Sequence, residues 1–150
     1  MPRLYRPLRS HGYTETLGCT VKMLTRYRVY ENRPDRPLFQ KIAQEDPKRI
    51  FRVYFEIAPG QFIELFPKNE GQKERGDWNS RLGYSHFALL TKDIHKTRAE
   101  LAEKGLLPDT EPSKGPSETW QMWYHDPDGN KFEVMQYTDQ SYQVVGHIDE

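Results

Sequence analysis

Apolar and polar positions alternate with a period near two over five stretches: 49–57, 61–67, 84–91, 118–125 and 131–138. Each is rich in aromatic or β-branched residues and is bounded by Gly, Pro, Asp or Asn, which predicts β-strands. Two of the junctions are tight turns. Ala58-Pro59-Gly60-Gln61 puts Pro then Gly at the centre of a turn, as type II geometry prefers. Asp126-Pro127-Asp128-Gly129-Asn130 suits a type I turn with a glycine bulge. Both predict hairpins. One helix is well marked: Asp93 caps it, Ile94, Thr97 and Leu101 recur at helical spacing, and Gly105 stops it. A second, poorer helix is expected over 7–17, ending at Gly18. The proline-containing stretch 31–48 reads as a surface insertion with one or two helical turns over 38–44. The polar stretch 68–83 reads as a linker, and 139–150 as a tail tied down by Tyr142, Val144 and Val145.

The two hairpins repeat one another. Gly-Gln-Phe-Ile-Glu-Leu in the first places Glu64 as Gly-Asn-Lys-Phe-Glu-Val in the second places Glu133, and upstream each half has a helix ending in glycine, at Gly18 and Gly105. The stretch from Gly18 to Glu64 exceeds that from Gly105 to Glu133 by the length of 31–48, which supports reading that segment as an insertion. The pattern describes two modules of strand, helix and three strands: module one over 1–67, linker 68–83, and module two over 84–138. The fold class is α+β.

Composition narrows the function classes. The 150 residues carry 22 Lys plus Arg and 22 Asp plus Glu, so no net charge draws the chain to nucleic acid or to an anionic membrane surface. Only 35% of residues are apolar but 13% are aromatic, so the core is expected to be built from few, bulky side chains. The single cysteine, Cys19, rules out an internal disulfide and a Cys-rich zinc site and is read as a small buried residue. With no apolar run long enough to span a bilayer and no signal-peptide core, a cytoplasmic location is expected.

Strand parity gathers the chemistry-bearing residues. Phe62, Glu64 and Phe66 share one face, while Ile63 and Leu65 share the other. If the bulged turn pairs Asp126 with Asn130, Trp123 lies opposite Glu133 and Gln121 opposite Met135, with Tyr137 on the same face. His86 shares its parity with Ala88 and Leu90, opposite Phe87 and Leu89. A carboxylate inside an apolar strand is costly and demands a partner. Two carboxylates and an imidazole suit a divalent metal such as Zn, Ni, Fe, Mn or Co. The alternative reading pairs Glu64 and Glu133 with Arg or Lys at a sheet edge and makes His86 a hydrogen-bonded structural residue.

His86 in Gly-Tyr-Ser-His-Phe-Ala-Leu, the Asp-Pro-Asp-Gly-Asn turn and Glu133 in Lys-Phe-Glu-Val resemble the second module of the vicinal oxygen chelate superfamily, and Gln61-Phe-Ile-Glu-Leu is similar to the end of its first. That group includes glyoxalase I, fosfomycin- and bleomycin-resistance proteins and extradiol dioxygenases. The resemblance covers about residues 10 to 138 and implies two βαβββ modules forming a cup-shaped mixed sheet around one metal, with Glu64, His86 and Glu133 as ligands. It departs from the family in one place. The interval from His86 to Gly105, laid back from Gly18, falls ahead of Met1, so the strand that carries the family's first ligand is expected to be shortened, replaced or absent. His11 is a poor substitute. The resemblance implies a glyoxalase-like, metal-dependent lyase acting on a small oxygenated substrate. Glu64 or Glu133 would be the catalytic base, and Phe62, Phe66, Gln121, Trp123, Met135 and Tyr137 would line the substrate site. The alternative is a non-catalytic small-molecule or antibiotic-binding protein; an extradiol dioxygenase would want a second histidine ligand. A homodimer is expected to cover the edge left by the short strand.

Overall fold

In the computed structural model, residues 12–68, 71–73, 76 and 83–149 are described. The chain divides into two compact units between Lys73 and Glu74.

The first unit is a three-stranded antiparallel sheet in the order β1-β2-β3, from β1 (Thr20–Arg26), β2 (Ile50–Ala58) and β3 (Gln61–Leu65). Burial along β2 alternates residue by residue: Phe51, Val53 and Phe55 are buried, and the residues between them are partly exposed. Val53 and Phe55 pack with Tyr13, Cys19, Ile63 and Leu65 on one face, as the alternation of β3 requires. Burial also raises the pKa of the Cys19 thiol, in keeping with a small buried residue. Pro59 and Gly60 close the hairpin, Gly60 at φ +72 as a type II turn demands.

Three expectations for this unit change. The strand β1 is absent from the five clear alternating runs because bulges between Val21 and Met23 and between Thr25 and Arg26 break its period. Of the helix expected over 7–17, the described residues form a π-helical turn, Gly12–Thr16, followed by Gly18 at φ +71; residues 7–11, His11 among them, and the stretch where the N-terminal strand is expected to be shortened, replaced or absent lie outside the described residues. The stretch 31–48 is more than a surface insertion. Its helix α1 (Pro37–Glu45) buries Ala43 and brings Phe39 and Ile42 against Tyr27, Tyr30 and Phe51. The Phe39 ring lies 5.0 Å from Tyr30 and 5.4 Å from Phe51. These rings form a second small core at one end of the sheet.

The second unit runs β4 (Phe87–Leu90), α2 (Ile94–Glu103), β5 (Thr110–Lys114), β6 (Trp120–His125) and β7 (Lys131–Gln136), with sheet order β4-β7-β6-β5. β4 is parallel to β7 and the other pairs are antiparallel, so this is the predicted mixed βαβββ module. β5 was not legible as a strand: Thr-Glu-Pro-Ser-Lys has no apolar alternation, and its Pro112 is tolerated because the strand sits at the sheet edge. The Asp93 side chain caps α2 by accepting from the Lys96 amide at 2.9 Å. The helix runs against β5, β6 and β7 and buries Ile94 and Leu101. On one sheet face Met122, Tyr124, Phe132 and Val134 are buried, with the Phe132 ring stacked on Tyr124 at 5.4 Å and on Phe87 at 5.6 Å. The chain beyond β7 is tied down as expected, but by other residues. Ser141 is buried and the Thr119 hydroxyl donates to Gln143, whereas Val144 and Val145 are exposed in the short helix α3 (Tyr142–Val145).

The hairpin that sets the register of β6 against β7 hangs on Asp126. Its carboxylate accepts from the amides of Asp128 and Asn130 and from the Asn130 side chain, at 2.7–2.9 Å. Replacing Asp126 with Ala is expected to cost about 1–2 kcal/mol, read as a lower urea midpoint with unchanged slope. An unchanged midpoint would show that Pro127 and Gly129 suffice for the turn.

Candidate functional site

The register expected of the second hairpin is the one observed: Trp123 faces Glu133 and Gln121 faces Met135. Ala88 of β4 pairs with Glu133 from the other side. The face opposite the α2-packed core therefore carries Gln121, Trp123, Lys131, Glu133 and Met135, as parity requires. His86 precedes β4, since the strand is shorter than the expected 84–91, yet its ring turns toward the same face and meets the Trp123 indole edge-on at 4.7 Å. Tyr137 lies just past β7 and is exposed. Gln121 leans over Gly115, where a β-carbon would come within 3.0 Å of its amide; any larger residue there would displace it.

Glu133 is 8% exposed, and His86 Nε2 stands 3.8 Å from its Oε2, beyond hydrogen-bond length. Burial pushes the Glu133 carboxyl above the ordinary range, with His86 and Lys131 pulling it partly back. His86 Nδ1 is engaged by the Ser85 hydroxyl at 2.8 Å, leaving Nε2 as the nitrogen that faces the carboxylate. Lys131 Nζ sits 4.1 Å from the Trp123 ring centroid. This arrangement tests whether a divalent ion fits. Metal-bound histidines are held through the nitrogen that does not ligate, and Ser85 engages Nδ1 here, so that Nε2 is the donor presented. A desolvated carboxylate without a hydrogen bond is a group that gains from a cation. The pair supplies two donors. Among the described residues no three His, Cys, Asp or Glu side chains gather as a metal-sized cluster.

Glu64 belongs to the first unit and has a partner there. Arg52 Nη1 donates to its Oε1 at 2.9 Å and approaches the Tyr54 hydroxyl at 3.5 Å. The guanidinium also lies 5.4 Å from the Tyr54 ring. Phe62 and Phe66 flank this face, both largely exposed, Phe62 against Tyr54 and Phe66 against Phe51. The pairing of Glu64 with an arginine is one of the two fates open to it in the sequence. The signal for Arg52 was its parity with Tyr54 on the strand beside Glu64. Ser85 was not singled out by the sequence, and Lys131, which parity places on the face of Glu133, carried no assigned role there. His125 sits at the sheet end with its Nδ1 2.5 Å from Asp109 Oδ2, a rim pair away from Glu133 in register.

A family model described as Glyoxalase/Bleomycin resistance protein/Dioxygenase superfamily matches residues 13–134. The chain belongs to this superfamily. Glyoxalase-superfamily proteins of known structure share its fold. The glyoxalase family protein from Enterococcus faecalis is 20% identical, with a TM-score of 0.61 over 85% of this chain and 86% of that one. A glyoxylase/bleomycin resistance protein/dioxygenase domain from Frankia sp. EAN1pec is 16% identical, with a TM-score of 0.60 over 90% and 85%. Lactoylglutathione lyase from Agrobacterium tumefaciens is 17% identical, with a TM-score of 0.52 over 86% and 83%. At these identities the likeness is one of fold. No curated protein matches the sequence. His86, just before β4, and Glu133, on β7, stand at the start and end of the βαβββ module, whose first and last strands lie side by side and parallel.

Proposed function

We propose that the chain is a glyoxalase-like, metal-dependent enzyme that moves a proton on a small oxygenated substrate, with His86 and Glu133 holding a divalent ion. The observation that supports this most is the buried Glu133 carboxylate facing an imidazole whose other nitrogen is already anchored. A bound divalent ion would supply Lewis acidity for the negative charge that appears when a proton leaves a carbon beside a carbonyl. The protein's own contributions follow from its geometry. Ser85 fixes the His86 ring so that Nε2 points inward. Trp123 packs edge-on against the His86 ring and walls one side of it. Glu133 would take the proton at a carboxylate oxygen. Gln121 and Met135 beside Trp123, and Tyr137, would contact substrate.

Hydrogen–deuterium exchange at the carbon next to the carbonyl tests this reading. NMR of hydroxyacetone, dihydroxyacetone and 2-oxobutyrate in heavy water with manganese-loaded protein is expected to show metal-dependent exchange, lost in Glu133→Gln. Exchange no faster than with free manganese would overturn the catalytic reading. A second reading, binding without catalysis, is favoured by one observation: the Glu64 carboxylate is already neutralised by Arg52. That reading predicts ligand binding with no exchange.

A further inference from the structure

One polar group on the face that carries Glu133 is engaged neither by the fold nor by the proton transfer. Gln121, half-buried on β6, makes no hydrogen bond through its carboxamide among the described residues. The glutamines of β7 and α3 are engaged: Gln136 accepts from the Ile94 amide at 2.8 Å, and Gln143 accepts from the Thr119 hydroxyl at 2.6 Å. The Gln121 amide is nevertheless held in place. A β-carbon at position 115 would stand 3.0 Å from its carbon, nitrogen and oxygen alike, so the amide lies flat over Gly115. Gly115 is fixed in turn, its N–H donating to the Thr119 carbonyl at 2.9 Å and its own carbonyl accepting from the Glu118 amide at 3.1 Å. Amide donors and acceptors act in the plane of the group, so an amide laid face-on to a backbone wall turns its hydrogen-bonding edges away from that wall. Packing has already restricted the side chain, and little rotational freedom is left to lose when a ligand binds.

The position of Gln121 sets the reach of that ligand. It pairs with Met135 and stands diagonally across from Glu133, about 7 Å away between the strands. Trp123, two residues along β6, and Met135 supply apolar surface beside that diagonal. A carbonyl placed beside Glu133 thus has apolar wall for its next carbons and a hydrogen-bonding group beyond them. A neutral amide does not offset the desolvation of an ionised group, so it suits a hydroxyl or an amide rather than a charge.

We propose that Gln121, laid over Gly115, determines specificity at this site, and that the substrate is a small hydroxyketone carrying a second, uncharged hydrogen-bonding group about three bonds beyond its carbonyl. The position of the carbonyl rests on the metal-site reading above; the demand for a second polar group rests on Gln121.

The test compares 1,4-dihydroxy-2-butanone with 1-hydroxy-2-pentanone, which share a hydroxyketone head and differ by a terminal hydroxyl in place of a methyl group. Each is titrated by calorimetry and by tryptophan fluorescence into manganese-loaded and metal-free full-length protein, and bound manganese is counted in every sample. Wild type is expected to bind the dihydroxyketone at least about 5-fold more tightly, against the greater hydrophobicity of its analogue. Gln121→Leu should reverse the preference. Gly115→Val, whose side chain takes the place of the amide, should weaken the preference in wild type and change nothing in a Gln121→Leu background. The Gln121→Leu comparison decides by itself should Gly115→Val not fold. No binding of the dihydroxyketone, equal binding of the two ligands by wild type, or a preference that survives Gln121→Leu would overturn the proposal; an unaltered preference in folded Gly115→Val would remove the positioning role of Gly115. The two readings fail separately. Full manganese occupancy without a hydroxyl preference removes the role of Gln121 and spares the metal site. A preference that persists in protein that takes up no manganese removes the metal site and spares Gln121.

Discussion

Glu133→Gln protein is expected to lose divalent-metal affinity by more than the 10–100-fold typical of changes around a ligand, because an amide offers oxygen without charge. Few substitutions separate the two readings of this residue so widely. In the metal-free protein the ionised carboxylate is desolvated, its pKa raised by burial. A group whose pKa is raised on folding stabilises the fold below its unfolded pKa, and that contribution is lost as pH rises through the folded value. Ionised Glu133 is thus a burden on the fold at neutral pH, and Glu133→Gln should hold or raise the thermal midpoint without metal. The two effects together mark a residue kept for what it binds. A structural ion pair with His86 would show the reverse: a lower midpoint, and metal uptake unaltered. Calorimetry with manganese and a thermal melt in chelator read both quantities from one preparation.

The second large effect is a matter of packing. Phe132 is 1% exposed and stacks between Tyr124 and Phe87, joining all three strands that surround the site. Phe132→Ala should cost about 3–5 kcal/mol, from lost transfer energy and from a cavity that a stack of flat rings fills poorly. Against a total stability of about 5–15 kcal/mol, that is enough to leave much of the protein unfolded under mild urea. Phe132→Leu keeps most of the volume and is expected to recover over half of the loss. A drop in urea midpoint equal for both variants would mean that the aromatic stack, rather than the filled volume, holds the sheet. Because Phe132 and Glu133 are neighbours on opposite faces, Phe132→Ala should also loosen the site, which Glu133→Gln should not.

The sheet face behind Phe132 was legible because its residues obey a strict period of two. The hairpin register followed from one turn, where Asp126 leaves a single way to pair the strands. The face shared by His86, Trp123 and Glu133 came out of the same arithmetic. What escaped has physical reasons. β1 carries two bulges that reset its parity, so Val21 and Leu24 do not alternate cleanly. β5 is an edge strand whose backbone pairing needs no apolar side chains. The small core around Phe39 was hidden because its aromatic residues are scattered through Tyr27, Tyr30, Phe39 and Phe51, with three prolines in the chain between them. The partner of Glu64 escaped for a different reason. Whether a carboxylate meets a guanidinium, an imidazole or a metal depends on side-chain reach across strands, and Arg52 is one of several cations within reach by position alone.

The most direct test of the account is a manganese(II) titration of wild type and His86→Ala followed by the paramagnetic resonance of free manganese. The account predicts that wild type removes about one equivalent of the free-ion signal per chain and that His86→Ala removes far less at the same concentrations, with both proteins folded by circular dichroism. A full free-ion signal at every ratio in wild type, or equal uptake by the two proteins, would contradict it.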